Sequence, residues 1–358
     1  MRIDLDLAKA RSGVIAMGAG FVALDVIQND DGDRVAAGGT CGNVMAILAW
    51  LGWHSLPVAR IGADGASECV IENLTAAGVD TRFVSVNTKT PTPIVIQRTV
   101  IDRAGKRSHR FTMTCPGCGQ WLPRFRPFVG SDAQAVIDSM GKKAPNVFFF
   151  DRVSPAILTL ARWARDAGAL LMFEPTTYSD DKHFQSAVEL CHILKFSHER
   201  LGHVRDFAET KGPEIAIETL GADGLRIRWR DKWTTYASFR APRFIDAAGA
   251  GDWCAAGLLH VVGQSGAAGL KDLRKPEVEK AVRVGQALSA INCGFVGARG
   301  SMEVLDRAKT SELLRQLQGG EVILPADEGA SDGEKAHAII CDVCKPPEVP
   351  RAKGKKRA

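Results

Sequence analysis

Short apolar runs alternate with longer amphipathic stretches through most of this 358-residue chain, and that alternation is what most constrains its fold. Runs of strand length are found at residues 14–17, 56–61, 147–150, 170–173, 193–196 and 215–220. Amphipathic stretches of helical length lie between several of them, at residues 43–51, 155–167 and 184–190. Such alternation is typical of parallel strands joined by crossover helices. It predicts an α/β layered domain with a mainly parallel sheet that is buried on both faces.

Two parts of the chain depart from this pattern. Residues 92–100 and 107–114 flank a glycine-containing turn and predict an antiparallel hairpin, and the region at 26–35 predicts a further strand. A small β-sheet of this kind beside a parallel domain is a natural lid. Beyond Gln318 the pattern degrades into a linker rich in Gly, Asp and Glu. We therefore divide the chain into a domain at 1–318, with lid strands near 26–36 and 92–114, and a linker with a C-terminal extension at 319–358.

The positive charge of the chain is concentrated in its last eight residues. The formal net charge is +5, and residues 351–358 contain five basic side chains, so the remaining body is close to neutral. We interpret this tail as solvated and expect no basic face for nucleic acid. No apolar run approaches the ~18–20 residues of a membrane helix, and Asp4 and Asp6 precede the apolar stretch at 13–24. These features predict a cytoplasmic protein without a membrane or targeting segment.

The strongest chemical signal is the sequence Asp246-Ala-Ala-Gly-Ala-Gly-Asp252, which a predicted helix follows. Glycines let the backbone turn tightly, and a helix that starts there presents free N–H groups and a positive dipole end. Such a turn can stabilise the negative charge that develops on a transferring phosphoryl group. Asp252 in the same turn is suited to accept a proton from an attacking hydroxyl. The alternative interpretation is an ordinary acidic residue in the first turn of a helix.

A second glycine motif, Gly38-Gly-Thr-Cys-Gly-Asn43, precedes another predicted helix. The glycines bring the backbone close to a neighbouring group, and the Asn43 amide can both donate and accept hydrogen bonds with a hydroxyl-rich ligand. An N-cap role for Asn43 is the alternative, since Asn is favoured at that position.

Together, and in this order, the two motifs resemble the signatures of the ribokinase (PfkB) family of carbohydrate kinases. The first signature is present as Gly38, Gly39, Asn43, Leu51 and Gly52, and the second runs from Asp246 to Asp252. Smaller similarities lie at Leu220-Gly-Ala-Asp-Gly224 and Gly297-Ala-Arg-Gly-Ser301. The resemblance covers about residues 13–315.

This resemblance implies a ribokinase-like three-layer α/β/α domain that acts as an ATP-dependent kinase on a hydroxyl of a small sugar or sugar acid. Asp252 would be the general base, and the anion hole would be formed by the turn at Gly249, Ala250, Gly251 and Asp252. The sugar would be contacted by Asp25, Gly38, Gly39 and Asn43. The ATP side would include Ser197, Glu199, Gly221 and Gly224. The resemblance also implies Mg²⁺ at the phosphates, a monovalent cation such as K⁺ near Asp246, and a homodimer through the lid.

Two of the departures of this sequence from the family pattern bear on its activity. Ala247 stands where the family usually has Thr, and in the family's Asn-x-x-Glu segment Ser197 replaces Asn while Arg200 replaces Glu, with Glu199 one position early. These departures motivate an alternative, a catalytically weak member that binds ligand without turnover. A nucleoside kinase is the alternative within the same class. A dinucleotide-dependent oxidoreductase is a third, although Met17-Gly-Ala-Gly-Phe21 lacks the last glycine of that fingerprint.

Four of the nine cysteines form two C-x-x-C pairs, Cys115 with Cys118 and Cys341 with Cys344. An odd cysteine count without a signal segment is typical of reduced thiols. Two C-x-x-C turns can supply the four thiolates of a tetrahedral Zn²⁺ site with no open position for catalysis. We therefore predict a structural zinc clamp between the C-terminal extension and the lid. Unrelated cysteines and redox pairs are the alternatives.

Overall fold

The structure is a computed structural model, and it describes residues 5, 7–28, 32–101, 107–179, 182–210, 212–318, 322–326 and 339. Within these residues the strands are β1 (Ile15–Ala19), β2 (Ala23–Gln28), β3 (Arg34–Gly38), β4 (His54–Gly62), β5 (Val84–Asn87), β6 (Ile94–Ile101), β7 (Arg107–Thr112), β8 (Val147–Phe150), β9 (Leu170–Phe173), β10 (Ile193–Ser197), β11 (Ile215–Thr219), β12 (Leu225–Trp229) and β13 (Lys232–Tyr236). The helices are α1 (Thr40–Trp50), α2 (Gly65–Ala76), α3 (Gly130–Met140), α4 (Pro155–Asp166), α5 (Lys182–Leu190), α6 (His198–Leu201), α7 (Val204–Thr210), α8 (Ala250–Val262), α9 (Ala268–Lys271), α10 (Lys275–Asn292), α11 (Gly300–Val304) and α12 (Arg307–Leu317).

The central sheet has nine strands in the order β13-β12-β11-β10-β9-β8-β1-β4-β5. Every neighbouring pair from β11 to β5 is parallel, whereas β12 pairs antiparallel with both β11 and β13. The six apolar runs of the sequence form six adjacent strands of this sheet, from β11 to β4. The predicted α/β fold with a mainly parallel sheet is therefore confirmed.

Continuous apolar strands explain why the sheet is covered on both faces. All four residues of β8 and all four of β9 are buried, so each strand needs a hydrophobic layer on either side. One core packs α1, α8, α10 and α12 against one face of the sheet, and a second core packs α3, α4 and α5 against the other. The result is a three-layer α/β/α arrangement.

A second, four-stranded sheet has the order β3-β2-β6-β7. Its central pair, β2 and β6, is parallel, and the two outer pairs are antiparallel. These strands lie in the two segments where the sequence predicted lid strands, and residues 26–35 belong to two strands rather than to one. A third hydrophobic cluster, to which α2 contributes, packs this sheet onto the rest of the domain.

Little of the C-terminal extension falls within the described residues, and both Cys341 and Cys344 lie outside them, as does the basic tail. Ile339 of the extension is described, is buried, and belongs to the same hydrophobic cluster as Cys115 and Leu122. In the described part of the chain, no helix combines the length and the apolarity needed to cross a bilayer.

Candidate active site

The glycine turn before α8 leaves two backbone donors open. Gly249 adopts a left-handed conformation with φ of 70°, and a Cβ there would lie 2.2 Å from the carbonyl oxygen of Ala298, so the position requires glycine. The Ala250 N–H donates to the Ala247 carbonyl at 3.2 Å. The N–H groups of Gly251 and Asp252 have no acceptor within the described residues. These two donors, at the positive end of a thirteen-residue helix, can receive an anion.

Asp252 and Asn43 connect the two glycine motifs. The Asn43 amide nitrogen donates to the Asp252 Oδ2 oxygen at 2.8 Å, although the two residues come from different ends of the chain. Asn43 lies in the first turn of α1, whose N-cap is Gly39. The alternative interpretation of Asn43 as a helix cap is therefore wrong, and its side chain instead orients the carboxylate of Asp252.

The pKa of Asp252 is raised to about 7. Burial is the main cause because it disfavours the charged carboxylate, and the nearby carboxylates of Glu174 and Asp151 raise the pKa further. The hydrogen bond from Asn43 and the positive charge of Lys195 act in the opposite direction. A carboxyl group with this pKa can exchange a proton near neutral pH, which is what a general base requires.

A buried ion pair lies beneath the turn. The Lys195 ammonium on β10 contacts the carboxylate of Glu174, which directly follows β9. A Cβ built on Gly251 would lie 3.5 Å from Lys195 Nζ and 3.6 Å from Glu174 Oε1, so this pair adjoins the open N–H groups. Burial alone would lower the pKa of Lys195, but the Glu174 carboxylate raises it overall, and the lysine is charged. The other oxygen of Glu174, Oε2, is buried without a partner among the described residues.

Asp25 lies on the side of the site formed by the small sheet. The Gly39 N–H donates to its carboxylate, and burial raises the pKa of Asp25 to about 7 although the charge of Arg299 lowers it. Its Oδ1 oxygen, like Asn43 Oδ1, is buried and has no partner in the described part of the chain. A Cβ on Gly38 would lie 2.0 Å from the Asp25 carboxylate, so glycine is needed for the close approach. The small sheet and α1 therefore each contribute one buried acceptor without a partner among the described residues.

Aromatic rings and an arginine line another side of the site. The rings of Phe21 and Phe125 pack edge to face with centroids 6.0 Å apart, and the Arg152 guanidinium lies 4.7 Å from the Phe21 ring centroid. Arg152 also donates to the carboxylate of Asp151 at 2.9 Å, and Asp151 accepts from the Phe21 N–H at 2.8 Å. Asp151 directly follows β8, at the same edge of the sheet as Glu174.

The four residues expected on the ATP side lie at the carboxyl ends of β10 and β11. Ser197 ends β10, Glu199 lies exposed in the short helix α6, and Gly221 starts a 3-10 turn after β11. Gly224 closes that turn with φ of 105°. The structure thus brings these residues to one edge of the sheet, where parallel α/β sheets commonly bind ligands.

Four charged residues of the site were not singled out from the sequence: Asp151, Glu174, Lys195 and Arg152. Asp151 and Glu174 each follow a fully apolar run by one position, and that placement at the carboxyl ends of parallel strands was a usable signal. Lys195 lies inside an apolar strand and becomes meaningful only through its contact with Glu174. The cysteine pair at 115–118 follows β7, and Cys115 belongs to the hydrophobic cluster that packs the small sheet.

Residues 20–305 match the pfkB family of carbohydrate kinases, a span that covers most of the chain and both glycine motifs. The chain belongs to the pfkB family. As a pfkB carbohydrate kinase it is a phosphotransferase with an alcohol group as acceptor. A search of curated protein sequences finds no match.

Solved structures share the fold of this pfkB kinase at low sequence identity. Fructokinase with bound ATP from Xylella fastidiosa is 19% identical, with a TM-score of 0.65 over 85% of this chain and 99% of that one. Ribokinase of Arabidopsis thaliana in complex with ribose and ATP is 16% identical, with a TM-score of 0.62 over 84% and 99%. A nucleoside kinase of Burkholderia thailandensis in complex with inosine is 18% identical, with a TM-score of 0.60 over 85% and 97%. The ribokinase-like α/β/α fold is confirmed.

Proposed function

We propose that this chain is an ATP-dependent kinase that phosphorylates a hydroxyl of a small sugar or sugar acid. One observation carries the proposal: the Asp252 carboxylate, held by Asn43 at 2.8 Å, belongs to the same turn as two open backbone N–H groups. A base and an anion site are thereby placed side by side. This is the arrangement that transfer of a phosphoryl group to a hydroxyl requires.

In the proposed reaction, Asp252 accepts the proton of the sugar hydroxyl while that oxygen forms a bond to the γ-phosphorus of ATP. The bond from phosphorus to the bridging oxygen breaks, and its electron pair leaves with ADP. Negative charge on the transferring oxygens is stabilised by the N–H groups of Gly251 and Asp252 and by the dipole of α8. The ammonium of Lys195, next to Gly251, adds positive charge at the same point.

The open acceptors favour a hydroxyl-rich substrate. Asp25 Oδ1 and Asn43 Oδ1 are buried without partners in the described residues, and buried acceptors of this kind are costly unless a ligand donates to them. Sugar hydroxyls supply such donors. The positive charge of Arg152 at the side of the site would suit the carboxylate of a sugar acid.

A nucleoside kinase is the second candidate, because the Phe21 and Phe125 rings offer an aromatic surface on which a base can stack. A catalytically weak binding protein is disfavoured, since Asp252, Asn43 and the open turn are all present. The altered segment at Ser197 and Arg200 does not contribute to these contacts.

Residues of this chain fit a Mg²⁺ ion, which would neutralise phosphate charge when bound. The buried Oε2 oxygen of Glu174 has no partner among the described residues and is the type of ligand that Mg²⁺ prefers. We propose Glu174 as the residue that holds the ion, directly or through its water. Ser197 and Glu199 remain our proposed contacts on the ATP side, together with Gly221 and Gly224.

Turnover with Mg·ATP tests the proposal directly. ADP release is measured against ketoses, aldoses, sugar acids and nucleosides at equal concentration. We expect turnover with one sugar or sugar-acid group. Turnover restricted to nucleosides would favour the second candidate, and thermal stabilisation by a ligand without ADP release would favour the binding protein.

The rate of the proposed reaction should depend on the protonation of Asp252. Because the pKa of Asp252 is about 7 and the base must be unprotonated, we expect kcat to fall about tenfold for each pH unit below 7 and to level off above it. The measurement is a profile of kcat and kcat/KM from pH 5.5 to 9 at constant ionic strength. A flat kcat profile across pH 7, with chemistry rate-limiting, would contradict the assignment.

Asp25 provides the control, since its pKa is also about 7. It is proposed to bind sugar rather than to accept the reacting proton, so Asp25→Asn should raise KM for the sugar while the acid limb of kcat remains near pH 7.

We further propose that Cys115 and Cys118 bind Zn²⁺ together with Cys341 and Cys344. In the first pair, the Gly119 N–H donates to the Cys115 carbonyl at 2.9 Å, and Gly119 has φ of 72°, which closes a tight turn at the two cysteines. The burial of Ile339 in the hydrophobic cluster of Cys115 supports a docked extension. Among the described residues no group of His, Cys, Asp and Glu is arranged to hold a metal, and the second pair lies outside them.

Metal analysis of the full chain tests this clamp. We expect about one zinc ion per chain after purification without chelator, and its loss in Cys118→Ser and in Cys341→Ser. Cys69→Ser is the matched control, because Cys69 is a buried, isolated cysteine of the same hydrophobic cluster and should not affect zinc content. Full zinc content in Cys341→Ser would contradict the four-cysteine site.

A homodimer through the small sheet and a cytoplasmic location remain predictions. The first is supported by two large apolar side chains that are exposed at this sheet, Phe111 on β7 and Trp121 after it. Exposed aromatic residues of this kind are enriched at protein interfaces.

A further inference from the structure

The side chain of Asn292, at the end of α10, occupies a cage of backbone carbonyls. It is fully buried, and its amide nitrogen lies 3.3 Å from the carbonyl oxygen of Ala248, 3.3 Å from that of Gly297 and 3.2 Å from that of Ala298. Its amide oxygen accepts from the Ser301 N–H at 3.2 Å and from the Ser301 hydroxyl at 2.9 Å. The opposite orientation of the amide would place its oxygen against three carbonyl oxygens, which cannot donate to it. The amide nitrogen of Asn292 therefore points at the carbonyls.

The cage has more acceptors than the amide has donors. An amide nitrogen carries two hydrogens, whereas three carbonyl oxygens converge on it. Convergence of backbone carbonyl oxygens on one point is how proteins coordinate a dehydrated monovalent cation. In this chain that point is taken by the nitrogen of Asn292.

The cage directly adjoins Asp246. The Ala248 N–H donates to Asp246 Oδ1 at 2.6 Å and the Gly297 N–H donates to Asp246 Oδ2 at 2.8 Å. The same two residues turn their carbonyls toward Asn292. The family resemblance implied a monovalent cation near Asp246. The residues at this cage do not fit such a cation, because the buried amide of Asn292 already occupies the space between the carbonyls.

We infer that Asn292 is a positioning residue that replaces a monovalent cation and makes the kinase independent of K⁺. It fixes Ala248, which precedes the turn of Gly249 to Asp252, to the segment at Gly297 and Ala298. That segment supports the turn, since Gly249 packs on Ala298 and the Trp253 indole donates to the Ala298 carbonyl at 3.0 Å. Asn292 therefore acts on Asp252 through the turn. The effect on rate rests on the proposed function, whereas the effect on stability does not.

The test compares chloride salts of K⁺, NH₄⁺, Na⁺ and tetramethylammonium at equal ionic strength, with ADP release and the melting temperature Tm as readouts. For the unmodified chain we expect equal rates and equal Tm in all four salts. Asn292→Ala empties the cage, so we expect kcat to fall at least tenfold in tetramethylammonium. We expect K⁺ or NH₄⁺ to raise that rate several-fold and to raise Tm, because either cation can bind the three carbonyls that the Asn292 amide no longer contacts.

Asn146→Ala is the matched control. Asn146 also bridges two backbone groups, accepting from the Ile15 N–H at 2.8 Å and donating to the Gln264 carbonyl at 3.1 Å, but it directly precedes β8, at the amino end of the strand. Its loss should lower Tm equally in every salt. Activation of the unmodified chain by K⁺ would overturn the inference, as would an Asn292→Ala variant without any salt-specific change.

The two readouts, ADP release and Tm, distinguish a failure of the proposed function from a failure of the inference about Asn292. If no substrate is turned over, the proposed function fails, while the salt dependence of Tm still decides the role of Asn292. If Asn292→Ala does not fold, Asn292→Asp is used, because it keeps the shape of the side chain and replaces its donors with a carboxylate. We then expect a Tm that rises with K⁺, and a Tm independent of K⁺ would contradict the inference.

Discussion

Asp252→Asn should lower kcat about a thousandfold, within the range of about 10² to 10⁴ that removal of a general base produces. The amide cannot accept the hydroxyl proton, yet it has nearly the same shape and leaves the two backbone N–H groups of the turn in place. We therefore expect KM for ATP and for the sugar to change little. The measurement is steady-state ADP release with the substrate identified from the panel.

Stability measurements separate this effect from misfolding. The pKa of Asp252 is raised mainly by burial, so exchange of the carboxyl for a neutral amide should not lower the free energy of unfolding at neutral pH. Asp80→Asn is the control, because Asp80 forms a surface ion pair with Arg82 away from the site and should retain full activity. An Asp252→Asn variant with more than a tenth of the original kcat would show that another group removes the proton.

The parts of the fold that the sequence predicted are those whose signal is local. The runs at 147–150 and 170–173 coincide with β8 and β9, because strands buried on both faces must be continuously apolar. The strands β12 and β13, at one end of the sheet, were missed, since they are only partly buried and their residues do not form an apolar run. The antiparallel end of the sheet therefore appears only in the structure.

The residues of the candidate site also divide into those that a local motif predicted and those that only the fold reveals. Asp252 and Asn43 were found because each lies in a glycine motif, although only the fold brings them within 2.8 Å. Asn292 lies in a helix without any motif, and its role depends on three carbonyl groups that sequence patterns do not reveal. Lys195 is comparable, because a lysine inside an apolar strand predicts nothing until its partner is known.

Lys195→Met should lower the free energy of unfolding by about 3 to 5 kcal/mol, which is the usual effect of removing one partner of a buried ion pair. The Glu174 carboxylate would then remain buried beside Asp252 without a counter-charge. Since the whole free energy of unfolding of a domain is about 5 to 15 kcal/mol, the loss is large. Chemical denaturation at pH 7.5 measures it.

A pH profile distinguishes an electrostatic role of Lys195 from packing alone. The positive charge of Lys195 lowers the pKa of Asp252, so its removal should shift the acid limb of kcat to higher pH. The double variant Lys195→Met, Glu174→Gln is the matched control. It removes both charges, so it should regain much of the stability, and it serves as the control for the denaturation experiment. If Lys195→Met were as stable as the parent chain and its profile unshifted, the buried pair would not determine the electrostatics of the turn.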